Sequence, residues 1–404
     1  MTGSATRMAA LARDPLSASA GRVDTRTADK PTRLRPPGSG RGLYDLSLDE
    51  LSHLLADQPP YRLRQVWESL YRQAALPEQM TALPKDLRQR LSETVPAALR
   101  LVSESVSGDA QTVKWLWAGN DGVGVETVLM LYRDRATACV SSQAGCAMGC
   151  KFCATGQAGL ARHLSPGEIL EQVAEARRRA IPRRLTNIVF MGMGEPLANY
   201  ERLWASIERI HADMGISARH ITVSTVGIVP GIRRLSHEAL PVNLAVSLHA
   251  ANDALRDRLV PINRRYPLSD LVEACRQYRA VKNRRLSFEW ALIDSVNDSP
   301  SDARELAEIA SGLGAHVNVI PLNPTDGFAT RGTPPAGVKR FRDELFALGV
   351  NVTVRRNRGT EIDAACGQLT LRNTKAATRS QIPGQDRVGG TERSSESSLS
   401  VAEA

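Results

Sequence analysis

The run Cys146-Ala147-Met148-Gly149-Cys150-Lys151-Phe152-Cys153 puts three thiols within eight residues, spaced C-x3-C-x2-C. Thiolates are soft ligands suited to iron–sulfur clusters or to zinc. Three in so short a loop can each hold one iron of a cubic four-iron cluster. No fourth cysteine lies in the run, which leaves the fourth iron open to a ligand that is not protein. A structural zinc asks for four protein ligands, and the nearest downstream histidine, His163, comes ten residues after Cys153, off zinc-finger spacing. Zinc is therefore the weaker reading. Gly145 and Gly149 let the backbone wrap closely round a bulky cluster. Phe152, between the last two cysteines, suits shielding of the cluster, stacking on a bound adenine, or plain core packing.

Other chemistry-bearing residues sit where apolar runs end. Ile188-Val189-Phe190-Met191 leads into Gly192-Met193-Gly194-Glu195-Pro196, which alone could be a simple turn. Ser224, Ser247-Leu248-His249 and Asn323 each follow an apolar run. A turn-capping Ser or Asn, or a satisfied buried histidine, is the plain alternative for each. Cys139 stands seven residues before Cys146, and Cys366 lies past the last apolar run. Free cysteines are usually small buried hydrophobes, and that reading is accepted for Cys275. Glu126 interrupts an apolar run after Gly122-Val123-Gly124-Val125, as a functional acid or as an exposed edge charge.

The elements that must position these groups follow from pattern. A chain of 404 residues can bury a large core. No apolar run reaches the roughly 18–20 residues of a membrane span, and the N-terminus has no secretory h-region, so a cytoplasmic, membrane-free protein is expected. Six cysteines in such a chain do not suggest a disulfide framework. The net charge of +9 favours a polyanionic partner. Residues 1–42 read as a disordered basic arm and 373–404 as a disordered tail. Residues 43–100 read as a small helical unit with Ser47 capping the first helix. Its second helix, 61–72, has an apolar face of Leu63, Val66, Trp67 and Leu70, and leaves Arg62, Arg64 and Arg72 for a solvated or an RNA-contacting face. Residues 101–372 form the main domain, with β-rich sequence at 112–135. From 136 onward, strands at 136–142, 185–191, 220–224, 242–248, 286–293, 317–322 and 350–354 alternate with helices. The first of these helices opens on the capping box Ser165-Pro166-Gly167-Glu168. This alternation predicts an α/β fold with a parallel sheet in a full or partial barrel, whose chemistry lies at the carboxyl ends of its strands. In a closed barrel the first and last strands are neighbours, so Cys139 and Cys366 could meet.

The three-cysteine run resembles the signature of the radical SAM superfamily, in which the open iron binds S-adenosylmethionine (SAM). The stretches Ser141-Ser142-Gln143-Ala144-Gly145-Cys146, Gly192-Met193-Gly194-Glu195-Pro196 and Ala364-Ala365-Cys366-Gly367-Gln368-Leu369 carry a closer likeness. From about residue 43 to 372 the chain is similar to the radical SAM RNA methyltransferases that modify an adenine carbon. Within them it looks most like the dual-specificity branch that forms 2-methyladenosine in 23S rRNA and in certain tRNAs. Glu361 departs from the pattern, where the family often has Asp.

The resemblance implies a radical SAM partial (β/α)6 barrel with a small N-terminal helical accessory domain, which contacts RNA, and a short β extension. It implies one 4Fe-4S cluster on Cys146, Cys150 and Cys153, and SAM contacts from Gly194, Glu195, Ser224, Ser247, Leu248, His249 and Asn323. Adenine C2 is not nucleophilic, so the family takes a detour using two SAM per turnover. One methylates Cys366; the other yields a 5′-deoxyadenosyl radical that activates the S-methyl group for addition to C2. Glu126 then removes the C2 proton, and Cys139 attacks the Cys366 sulfur, freeing the base and leaving a transient disulfide. Implied partners are 23S rRNA and tRNA, an electron donor such as flavodoxin or ferredoxin, and a thiol reductant; a monomer is expected. The target adenine must leave its stack at a cost of a few kcal/mol. Aromatics make up only 4% of residues, so charge and shape should carry more RNA affinity than stacking. The related resistance enzymes methylate C8 instead, although Pro196 leans towards C2. A zinc-binding RNA chaperone without turnover is the reading from another class.

Overall fold

The computed structural model describes residues 41–370 except 326, 356 and 357. Apart from Arg41 and Gly42, the expected basic arm lies outside the described residues, as does the expected tail. Helices α1 (Leu48–Leu54), α2 (Tyr61–Tyr71) and α3 (Lys85–Thr94) come first. Ser47 caps α1 by accepting from Glu50 N, and Glu50 returns the bond to Ser47 N. Helix α2 buries Val66, Leu70 and Tyr71. Of its three arginines, Arg62 and Arg72 donate to the carbonyls of Ala82 and Ala212. Arg64 is turned to solvent at 83% side-chain exposure beside Glu68.

The ten-stranded sheet has order β1-β2-β3-β4-β7-β8-β9-β10-β11-β12. Strands β1 (Leu99–Val106), β2 (Thr112–Gly119), β3 (Gly124–Leu131) and β4 (Arg135–Cys139) form an antiparallel meander. The β extension therefore begins earlier than residue 112. Strand β1 is a bulged edge strand, exposed along much of its length, so its sequence lacks the clean alternation of a half-buried strand. Strands β5 (Gln143–Gly145) and β6 (Leu160–His163) make a separate small pair. From β4 the sheet turns parallel through β7 (Arg184–Phe190), β8 (Ile221–Thr225), β9 (Asn243–Ser247), β10 (Leu286–Leu292), β11 (His316–Pro321) and β12 (Val352–Val354).

The short α4 (Ala154–Ala158) and then α5 (Pro166–Ala180), α6 (Tyr200–Ala212), α7 (Val229–His237), α8 (Asp253–Leu259), α9 (Leu268–Lys282), α10 (Pro300–Leu313) and α11 (Pro335–Ala347) supply the crossovers. Ser165 and Glu168 form the expected capping box on α5. One continuous apolar core runs from Leu43 through α5 and the barrel strands to Val350. None of the helices among the described residues is long and apolar enough to cross a membrane.

The barrel is partial. Its sheet ends at β1 and β12, and the gap is crossed by the chain after β12. There Arg358 donates to Leu131 O at 3.2 Å, Lys114 Nζ to Asp363 O at 3.1 Å and Thr155 Oγ1 to Leu369 O at 2.5 Å. Cys139 and Cys366 thus approach each other through this returning segment; among the described residues no strand ladder joins the first and last barrel strands.

Candidate active site

The wall of the site is built by two chain segments bonded to each other. Beyond β4, Val140 N donates to Val189 O and Gly192 N to Val140 O. Ser141 Oγ donates to Glu126 O at 2.6 Å and accepts from Met193 N at 2.8 Å. Gln172, fully buried on α5, donates to Ser141 O and accepts from Ser141 N and from Thr127 Oγ1. Each such buried bond is worth about 1 kcal/mol net, and more when one partner is orphaned. Gln143 Oε1 accepts from Glu195 N at 2.7 Å. The glycine motif is thereby fixed against the start of the cysteine loop. Gly194 has φ of +102°, and a Cβ there would stand 2.5 Å from Gln143 Cβ, so only glycine fits.

Cys146, Cys150 and Cys153 line one cavity at the carboxyl ends of the strands, with about 1070 Å³ of empty space, mouth included. Gly145 turns the chain at φ +84°, where a Cβ would meet Gly159 O at 2.0 Å. Among the described residues no three His, Cys, Asp or Glu side chains converge to hold a single metal ion. A cubane with one thiolate per iron spreads its ligands more widely than a single ion does. Burial pushes the Cys146 thiol up to about 12, and moves Cys150 and Cys153 in the same direction. The positive charge of bound iron is what would offset that burial and hold the three as thiolates. The soft donors and the roomy cavity fit a four-iron cluster.

The other expected ligand contacts surround the same cavity. Gly194, Glu195, Ser224, Ser247, His249 and Asn323 line it. Leu248 does not: its side chain is in the main core, and its backbone bonds to Glu289 O and Arg256 Nε. Glu195 accepts from Leu197 N at 3.1 Å and Val226 N at 2.9 Å, while burial pushes its carboxyl up to about 7. A cationic amine placed there would favour the ionised form. Ser224 donates to Phe190 O at 2.6 Å, and Asn323 Nδ2 to Cys366 O at 3.0 Å. Arg256, wholly buried, donates to Val226 O and Leu248 O and ties two strand-end loops together.

His249, at φ +60°, accepts from Ala291 N at 2.9 Å through Nδ1, which leaves its proton on Nε2. Its ring meets Phe152 edge-on at 4.8 Å. Burial, with Arg256 adding, pulls its pKa from 6.5 down to about 3. The folded state therefore binds fewer protons than the unfolded chain between those values. This contribution to stability is complete above pH 6.5 and is lost as pH falls towards 3. At pH 4.5 the loss should be about 2–3 kcal/mol. In His249→Asn, which tolerates the left-handed backbone and keeps an acceptor for Ala291 N, urea midpoints at pH 6.5 and 4.5 should differ by less than in the wild type.

Cys139 and Cys366 line a second cavity, and Cys366 also lines the first. Cys366 is exposed and Cys139 buried. Burial and the neighbouring Cys366 push the Cys139 thiol up to about 12, while Arg355 acts the other way. Arg355 lines both cavities and lies 3.4 Å from Glu289. Glu126 lies outside the cysteine cavity and is no exposed edge charge. It is 1% exposed, with Oε1 at 3.3 Å from Lys114 Nζ and Oε2 accepting from Thr370 N at 2.9 Å. Lys114, Glu289 and Arg355 were missed from sequence, although Glu289 interrupts the apolar strand β10 as visibly as Glu126 interrupts β3.

A three-thiol loop at the carboxyl ends of a partial parallel barrel defines an enzyme of the radical SAM class. The family model described as "Radical SAM superfamily" matches residues 140–307. The chain is 49% identical over 340 residues, 81% of its length and 91% of the relative's, to the dual-specificity RNA methyltransferase RlmN of Anaeromyxobacter dehalogenans. It is 46% identical over 353 residues to RlmN 1 of Myxococcus xanthus, covering 85% and 98% of the two chains. The crystal structure of a radical SAM methyltransferase from Sphaerobacter thermophilus superposes with a TM-score of 0.78 at 50% identity, covering 82% of this chain and 99% of that one. The chain belongs to the family of dual-specificity RNA methyltransferases.

Proposed function

We propose that this chain methylates C2 of adenine in 23S rRNA and in tRNA through a methylated cysteine and a covalent RNA adduct. The observation that carries the reading is the position of Cys366, on the wall of the cavity holding the three-thiol loop and also of the cavity holding Cys139. Cluster and SAM, when bound, supply the methyl groups and the one-electron chemistry. Cys146, Cys150 and Cys153 hold the cluster, and Gly194, Glu195, Ser224, Ser247, His249 and Asn323 are the surroundings of SAM. Cys366 accepts the methyl group as a thiolate nucleophile, and its exposure lets it meet both SAM and RNA. Cys139 resolves the adduct at the Cys366 sulfur.

Glu126 is the base for the C2 proton. Thr370 N donates to one of its oxygens, which ties the base to the segment that carries Cys366, and the carboxylate keeps further lone pairs for a proton. The helices of residues 43–100 are the accessory RNA-contacting domain. Flavodoxin or ferredoxin supplies the electron, and a thiol reductant reopens the disulfide.

Anaerobic reconstitution with iron, sulfide, SAM and a reductant, followed by 23S rRNA or tRNA, tests this directly. Nuclease digestion and mass spectrometry should find 2-methyladenosine together with 5′-deoxyadenosine. The 8-methyl isomer would assign the chain to the resistance-type reaction. A colourless zinc protein without turnover would remove the proposal.

A further inference from the structure

Among the described residues, Lys114 and Glu126 form an ion pair withdrawn almost wholly from water, their side chains 7% and 1% exposed. They lie diagonally on adjacent strands: Lys114 pairs with Val128 and Leu116 with Glu126, so both side chains leave the same face of the sheet. Burying two charges costs several kcal/mol per ion, and replacing such a pair by apolar residues is often neutral or stabilising. Stability alone is a weak reason for this one. Lys114 also donates to Asp363 O at 3.1 Å. Asp363 is a non-glycine residue at φ +52°, a backbone conformation that persists only where its surroundings enforce it. It stands three residues before Cys366. The other carboxylate oxygen is held by Thr370 N, four residues after Cys366. One lysine therefore touches the carboxylate and also the loop carrying the methyl-accepting thiol. The pair also borders a polar cavity, distinct from the one lined by the three thiols, that it shares with Ser103, Ser105 and Glu361.

We infer that Lys114 is the positioning residue for Glu126: it aims the carboxylate at the adenine bound on Cys366. The step it serves is a proton transfer only. The C2 proton moves to a Glu126 oxygen, the C–H electron pair stays with the adenine, and the carboxyl later releases the proton to solvent through the polar cavity. The inference rests on the base role proposed for Glu126, and the two fail separately.

The full-length, reconstituted enzyme is compared as wild type, Lys114→Met, Lys114→Arg, Glu126→Gln and the Lys114→Met/Glu126→Gln double variant. Two quantities are read: S-methylation of Cys366 by peptide mass spectrometry, and methyladenosine formed. Full product from Glu126→Gln would defeat the base role itself. With that role standing, Lys114→Met should methylate Cys366 normally but form methyladenosine about 100-fold more slowly, the scale of a misplaced general base. Lys114→Arg should recover most of that loss. In the Glu126→Gln background, Lys114→Met should add no further loss, because it acts through the missing carboxylate. The double variant leaves no unpaired buried charge, so it answers even if Lys114→Met does not fold. Parallel loss of Cys366 methylation and product, undiminished product, or additive loss in the double variant would overturn the assignment.

Discussion

Cys150→Ala, purified anaerobically and reconstituted with iron and sulfide, is expected to retain little iron and to form neither 5′-deoxyadenosine nor methyladenosine. Cys150 is buried in a small apolar cluster with Phe152, Ala250 and Leu255. Removing its sulfur leaves a void smaller than a methylene or two, a cost of about 1 kcal/mol. The fold should survive, with a melting temperature near that of the wild type stripped of its iron and sulfide. The chemistry should not survive. The loop offers three thiols with no spare, so a cubane on two would expose a second iron to solvent. The activity loss should exceed the roughly 10–100-fold that follows loss of an outer partner of a metal ligand. Iron and sulfide analysis beside nucleoside mass spectrometry checks both halves. Wild-type iron content together with wild-type product would mean that this loop does not hold the cluster.

Cys139→Ala should arrest turnover after the carbon–carbon bond has formed, leaving RNA attached to protein through Cys366. The two thiols border one cavity, and Cys139 is the buried member that no other proposed step uses. Its substitution removes a small side chain from an apolar patch with Val128, Met193 and Leu369, so the folding cost should be slight. Under reducing, anaerobic turnover a slow-migrating, nuclease-sensitive species should build up on denaturing gels, while free methylated RNA falls by at least about 100-fold. A Cys139→Ala/Cys366→Ala protein should show no such species. Free product at the normal rate from Cys139→Ala would remove the resolving role, and an adduct that persists without Cys366 would move the attachment to another residue.

What the sequence determined was whatever is written in consecutive residues. The cysteine loop could be read because its three ligands span eight positions, and their spacing survives any tertiary arrangement. Ser165 and Glu168 could be read because a capping box is three residues long. The parallel barrel could be read because each βα crossover leaves its own alternation in the chain. Strand β1 could not, because an edge strand has little burial to impose a pattern.

The tertiary structure decided the meetings between distant residues. Glu126 looked equally like an acid and an edge charge until Lys114 and Thr370 closed on it from 12 residues before and 244 after. Arg355 reached Glu289 across 66 residues. Cys366 came to two cavities because the chain after β12 folds back over the opening left by a sheet that does not close. Local sequence encodes torsional preference and the periodicity of burial. Which side chains share a cavity depends on strand order, register and the path of a returning segment, and these are fixed only when the whole core packs at once.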